Sequence, residues 1–145
     1  MKFGTATHEG KLLQLKNKEF VISVNSKGPL EIMNLYELFL KEQASILFNK
    51  KVKKFSTLLN VHPTKVMVKN LRNRWGSMTK SGVINLNYML MKAPLPIIDY
   101  IIVHELCHLK IKSHSHKFWL FLSRYVNDYK QKEQWLSKNS LNLIS

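Results

Sequence analysis

The residues best suited to chemistry stand in the most apolar run of the chain. Within DYIIVHELCHLKIKSHSHKFW, Asp99 to Trp119, are four histidines, His104, His108, His114 and His116, and one glutamate, Glu105. His104, Glu105 and His108 spell HExxH. On a helix, positions four apart lie about 40° apart around the axis and one turn along it, so the two imidazoles can grip one ion. Glu105 directly follows His104, which sets its carboxylate beside that ion as a base for a metal-activated water, not as a ligand. A catalytic zinc site takes three protein ligands and keeps one position open, so a third donor is required. His114 is the candidate, provided the helix ends and the polar KIKSHS stretch turns the chain back; His116 competes with it. His8 and His62 are distant and read as surface residues.

The bland alternative is a set of hydrogen-bonded core histidines. Against it stands the context: PIIDYIIVHELCHL is apolar almost all round, and an unpartnered glutamate buried there costs several kcal/mol unless neutralised. One divalent cation removes the difficulty. Cys107 points about 100° away from His108 around the helix and reads as a small packing hydrophobe. Imidazole also suits iron and copper, but the adjacent glutamate fits hydrolysis and so favours a single zinc ion.

The elements that must position these groups come next. Lys11 to Ile32 alternates well enough for a small meander, with Leu13 and Leu15, then Phe20, Ile22 and Val24, as strand positions. From Asn34 to Leu59 apolar residues recur at three- and four-residue steps, the mark of a long amphipathic helix, and Pro63 disfavours its continuation at His62. KVMVKNL and GVINLNYML read as strands separated by RNRWGSMTKSG, with a turn at Lys80 to Gly82. KAPLPII opens a second helix, since proline is tolerated in a first turn. A third follows KIKS, with Ser115 as its N-cap and Phe118, Phe121, Leu122 and Tyr125 as its buried stripe. The tail YKQKEQWLSKNSLNLIS reads as a short helix and a loose end. The expected class is α+β, a small antiparallel sheet packed on a long helix and on the HExxH helix.

Length and composition bound the rest. A chain of 145 residues is most simply one domain, 1–145. Neither a secretory signal nor an apolar run of about 18 residues is present, so a cytoplasmic protein without membrane insertion is expected. The single cysteine excludes an internal disulfide and a cysteine-built zinc site. Lys and Arg number 23 against 9 Asp and Glu, a net charge of +14 that favours polyanions such as nucleic acid. Only three of those cations are arginine, the residue preferred for phosphate and base contacts, so a solvated basic surface explains the charge as well. Composition sets no oligomeric state.

RWGSMTKSGVINLNYMLMKAPLPIIDYIIVHELCHLKIKSHSHKFW closely resembles the YgjP-like metallopeptidase family, whose pattern runs RWGSC, LN, AP, an HELxHL helix and an HSxxFW segment. Arg74 to Ser77, Leu86 to Asn87, Ala93 to Pro94, His104 to Leu109 and His114 to Trp119 match it. The resemblance implies a compact, gluzincin-like zinc peptidase core with His114 as third ligand and His116 at a variable position. Met78 departs from the family's usual cysteine, which implies altered packing rather than a lost metal. Arg74 and Trp75 either anchor their loop or else line the substrate cleft or support the metal site. Tyr88, Tyr100 and Arg74 are candidates for stabilising an oxyanion, and GVINLN is the expected edge strand for a bound peptide.

The reading is zinc-dependent hydrolysis of a peptide or protein substrate, with His104, His108 and His114 as ligands and Glu105 as base. Two others stand beside it. One is a DNA-associated protease of the SprT or WLM kind acting on DNA-bound proteins, for which the charge would serve. The other is a non-catalytic, zinc-stabilised interaction module, in which His116 would complete four ligands.

Overall fold

Pro29 sits where a helix can begin, its missing N–H needing no intrahelical partner, and Glu31 in the first turn complements the helix dipole. The long helix α1 accordingly spans Pro29–Leu59 and starts ahead of the Asn34 expected from periodicity. Its end is a Schellman motif. Asn60 adopts φ 56°, its N–H reaches the carbonyl of Thr57 at 3.3 Å, and that of Val61 reaches Ser56 at 3.0 Å. A computed structural model describes residues 13–16, 19–22 and 28–144 of this chain, with side chains described over 28–140. His8 lies outside the described residues.

By contacts the chain divides into two compact units, Met1–Glu42 and Gln43–Ser145. In the first, β1 (Leu13–Lys16) and β2 (Glu19–Ile22) form an antiparallel hairpin, with Leu13 opposite Ile22 and Lys16 opposite Glu19. This hairpin and the first part of α1 are its described elements.

The second unit is built around a three-stranded sheet of order β3-β5-β4, with β3 at Lys65–Lys69, β4 at Gly76–Met78 and β5 at Val83–Asn87. The α+β class holds, but the sheet is mixed rather than wholly antiparallel, because β3 runs parallel to β5 while β4 pairs with it antiparallel. The expected turn at Lys80 to Gly82 joins β4 to β5: the Thr79 N–H bonds the Val83 carbonyl at 2.9 Å, and Gly82 takes φ 89°. A 3-10 turn, Tyr88–Lys92, follows β5, and α2 (Leu95–Cys107) begins after Pro94.

Helix α2 is the hub, touching β4, β5 and two later helices, α3 (His116–Ser123) and α4 (Tyr129–Ile144). Burial on all its faces explains why its sequence lacks a polar stripe. Lys51 of α1 holds Asp99 of α2 at 3.0 Å. Ser115 does sit at the N-cap of α3, but its side chain makes no capping bond. The tail is not loose: α4 runs for 16 residues. Its sequence is largely polar, and long-range bonds help anchor it, one being Trp75 Nε1 to Ser140 Oγ at 3.2 Å. No described helix is long and apolar enough to cross a membrane.

One buried amide ties the sheet to the loop that precedes β4. Asn87 is fully buried; its Nδ2 donates to the carbonyls of Leu71 at 2.6 Å and Arg74 at 3.1 Å, and its Oδ1 accepts the N–H of Met89 at 2.9 Å. Its own N–H bonds the Trp75 carbonyl at 2.9 Å. Asn87→Ala strips partners from two carbonyls and one N–H, and at 1–3 kcal/mol per buried unsatisfied group the expected loss of stability is about 3 kcal/mol. Urea unfolding checks it: the midpoint should fall with the slope unchanged.

Candidate metal centre

His104 and Glu105 lie in the last turn of α2, and His108 is its C-terminal cap. The helix tightens there, His108, Leu109 and Lys110 bonding back to carbonyls three residues earlier at 3.0–3.1 Å. The chain then turns through Ile111 to Ser115 and returns His114 to the ring of His104. The Nε2 atoms of His104 and His114 are 3.2 Å apart, and those of His108 and His114 are 3.1 Å apart. The ligand atoms of all three histidines fall within 4.8 Å of one another.

Aromatic packing holds these rings in place. Phe118 of α3 stacks on His108 with centroids 4.4 Å apart and turns its edges to His104 and His114. Trp119 stacks on His114 at 5.7 Å and is itself covered by Tyr129 of α4 at 5.0 Å. The HSxxFW segment thus supplies both a candidate ligand and the surface that orients it.

The hydrogen bonds fix which nitrogen of each ring is free. Nδ1 of His108 lies 3.0 Å from the Ile111 carbonyl, which can only accept, so Nδ1 carries the proton and Nε2 keeps its lone pair. Nδ1 of His104 lies 3.4 Å from the Tyr100 hydroxyl, whose own proton goes to Glu133 Oε2 at 2.6 Å. That leaves the phenol oxygen to accept from His104 Nδ1–H, and Nε2 of His104 is again unprotonated. Burial first, then His108 and His114, push His104 down to about 3; burial also lowers His108. Burial and the Glu133 carboxylate raise the Tyr100 hydroxyl far above its ordinary range, so it stays a phenol.

Two lone pairs therefore face His114 Nε2, which has at most one proton to share between them. A cation that accepts imidazole nitrogen satisfies all three rings at once, and the donor set fits such an ion. Glu105 stands next to them, 9% exposed, its carboxyl raised to about 7 by burial while the Arg74 guanidinium pulls it the other way. Gly76 makes this approach feasible: a Cβ there would meet Glu105 Cγ at 3.2 Å and the Asn85 carbonyl oxygen at 3.1 Å. The glycine of RWGS lets β4 lie directly against the glutamate.

His104, Glu105, His108 and His114 open onto a cleft of about 450 Å³ whose opposite wall is β4. That corrects one expectation, since GVINLN supplies β5, the central strand with both sides paired, and the edge at the cleft belongs to β4. Three residues are too few to show a period-two pattern, which is why β4 read as loop. Met78, where the family pattern has cysteine, borders the same cleft and pairs with Ile84.

The remaining candidates scatter. Trp75 is buried and borders a second hollow beside His104 and Glu105, whereas Arg74 is exposed and reaches Glu105 through its charge. Tyr100 is fully buried behind His104 with its hydroxyl committed to Glu133, so it is placed to orient the imidazole and not to meet an oxyanion. Tyr88 is buried at the start of the 3-10 turn and does not border the cleft. His116 is exposed at the start of α3 and outside the histidine cluster, and His62 is exposed too. Cys107 is fully buried, and burial pushes its thiol up to about 12. Sequence reasoning missed Glu133, which sits in a polar tail with no motif around it.

No curated protein matches the chain. Among solved structures, it is similar to the metallopeptidase zymogen jannalysin of Methanocaldococcus jannaschii, with 26% identity and a TM-score of 0.55 over 63% of this chain and 94% of that one. The metallopeptidase zymogen abylysin of Pyrococcus abyssi shares the fold, with 22% identity and a TM-score of 0.55 over 62% and 92%. The sequence pattern of the YgjP-like metallopeptidase domain matches residues 2–139, and with that span the chain belongs to the YgjP-like metallopeptidase family.

Proposed function

We propose that this chain is a zinc-dependent peptidase in which His104, His108 and His114 hold one zinc ion and Glu105 is the general base. The observation that carries this reading is the convergence of three imidazole nitrogens, two with their lone pairs fixed by hydrogen bonds at Nδ1, beside a buried glutamate. The match over residues 2–139 supports treating the chain as one catalytic domain. Zinc, when bound, supplies the Lewis acid that polarises a peptide carbonyl and acidifies water.

The protein's own groups do the rest. Glu105 takes a proton from the attacking water onto its carboxylate and delivers it to the departing amine nitrogen. The burial that raises its proton affinity suits a group that must first accept and then donate near neutral pH. Gly76–Met78, at the edge of the sheet among the described strands, offers backbone N–H and C=O groups along which an extended substrate can lie. Glu133, through Tyr100, holds the His104 ring with Nε2 toward the ion.

Of the two alternatives, the structural-zinc module needs a fourth ligand, and among the described residues no fourth His, Cys, Asp or Glu joins the cluster. The DNA-associated reading predicts retardation of DNA in a gel that weakens as salt rises; no binding at low salt removes it.

Glu105→Gln should retain zinc at the parent's stoichiometry while peptide hydrolysis falls by about 100-fold or more. Metal analysis beside a peptide assay reads both, and a variant as active as the parent would sink the mechanism. Tyr100→Phe keeps the ring and removes the hydroxyl, so zinc should bind about tenfold more weakly, measured by competition with a chromogenic chelator.

A further inference from the structure

The space around Glu105 is charged oppositely at its two ends. At one end, the cleft of about 450 Å³ is bordered by Lys80, just beyond β4, and by Lys112, on the turn after α2. Neither lysine makes an ion pair among the described residues. At the other end, a hollow of about 320 Å³ is bordered by Glu133, Ser137 and Ser140 of α4 and walled by Trp75 and Leu136, with no lysine or arginine on its surface among the described residues. Gly76, His104 and Glu105 border both hollows, so the reacting position lies between them.

A strand laid along β4 passes the two in order. Trp75 and Gly76 adjoin the Glu133 hollow, and Ser77 to Lys80 adjoin the lysine hollow. Lysines bordering a cleft are unsurprising in a chain of net charge +14, but an acid there, drawn from only 9 Asp and Glu, runs against the composition. Glu133 is exposed and spends Oε2 on the Tyr100 hydroxyl, which leaves Oε1 to face a ligand.

Resting on the peptidase reading above, we infer that the preferred substrates carry opposite charges on the two sides of the cleaved bond: an acidic side chain seated between Lys80 and Lys112, and a basic one against Glu133. Both contacts meet the substrate beyond the reacting atoms; Glu133 also orients His104 through Tyr100, so its part in selection is read as a ratio between peptides within one variant. Ser137, one helical turn after Glu133, borders the same hollow and offers a lysine or arginine head a further acceptor.

The test compares kcat/KM of the zinc-loaded, full-length protein at low salt on three peptides of equal length. One carries Gln on both sides of the cleaved bond, one Glu before it and Lys after it, and one the reverse. One charged arrangement should exceed the neutral peptide by about tenfold, and its reverse should fall below the neutral peptide by a similar factor. The double variant Lys80→Glu/Lys112→Glu and the single variant Glu133→Gln should each bring the ratio of favoured to neutral peptide toward one. A ratio taken within one variant cancels any change in its metal loading. Equal cleavage of all three peptides by the parent overturns this inference and leaves the peptidase reading standing, and a preference that both variants keep overturns the assignment to these residues. Cleavage of none, with zinc bound, overturns both.

Discussion

The second unit is organised around a meeting of three imidazole nitrogens at the end of an apolar helix. Like groups do not gather in this way without cause: Nε2 of His114 stands 3.2 and 3.1 Å from two other ring nitrogens, and a single shared proton cannot satisfy all three. The surroundings refuse the simplest escape, protonation, because burial holds His104 neutral down to about pH 3. Such a cluster is stable only where a cation can be its common partner, and the rest of the unit keeps the rings from turning away. Phe118 and Trp119 press on them from α3, while the Ile111 carbonyl and the Tyr100 hydroxyl take the Nδ1 protons.

The sheet answers a second need, to bring an open strand edge against Glu105. β4 is only three residues long and could not hold its place by ladder bonds alone. It is held by the chain that leads into it. Asn87 clamps the loop before it by two carbonyls, and the Trp75 indole is tied to Ser140 of α4. At the contact itself the missing side chain of Gly76 lets the strand lie on the glutamate, burying the carboxyl and raising its proton affinity. The same packing therefore positions the base and tunes it.

How legible all this was in the sequence differed by residue, for physical reasons. The HExxH spacing encodes a shared helical face, so His104, Glu105 and His108 could be placed before any fold was known. His114 was separated from His116 by the family pattern, not by spacing, because a turning loop has no period from which to read a direction. GVINLN carries the pattern of a strand but not its place in the sheet: alternation reveals which face is buried and says nothing about which neighbours pair. β4 escaped altogether, three residues carrying too little pattern. Glu133 escaped for a different reason. Its role depends on α4 packing against α2, a contact between segments far apart in sequence, and a lone carboxylate among lysines gives no local sign of it.

The charge of the chain illustrates the same distinction between sum and placement. A total of +14 sets a long-range field, which speaks to solubility and to any polyanion nearby, but salt at physiological strength screens exposed charges beyond about 8 Å. Within the cleft the deciding quantities are local. Lys80 and Lys112 stand on one side of Glu105 and Glu133 on the other, so a substrate there meets a gradient of charge and not the average of the molecule. Adding lysines elsewhere on the surface would raise the sum and leave that gradient nearly unchanged. Moving Glu133 by one helical position would turn its carboxylate about 100° around α4, away from both Tyr100 and the hollow, with the sum unaltered. Selection of a substrate and orientation of His104 are thus tied to one carboxylate.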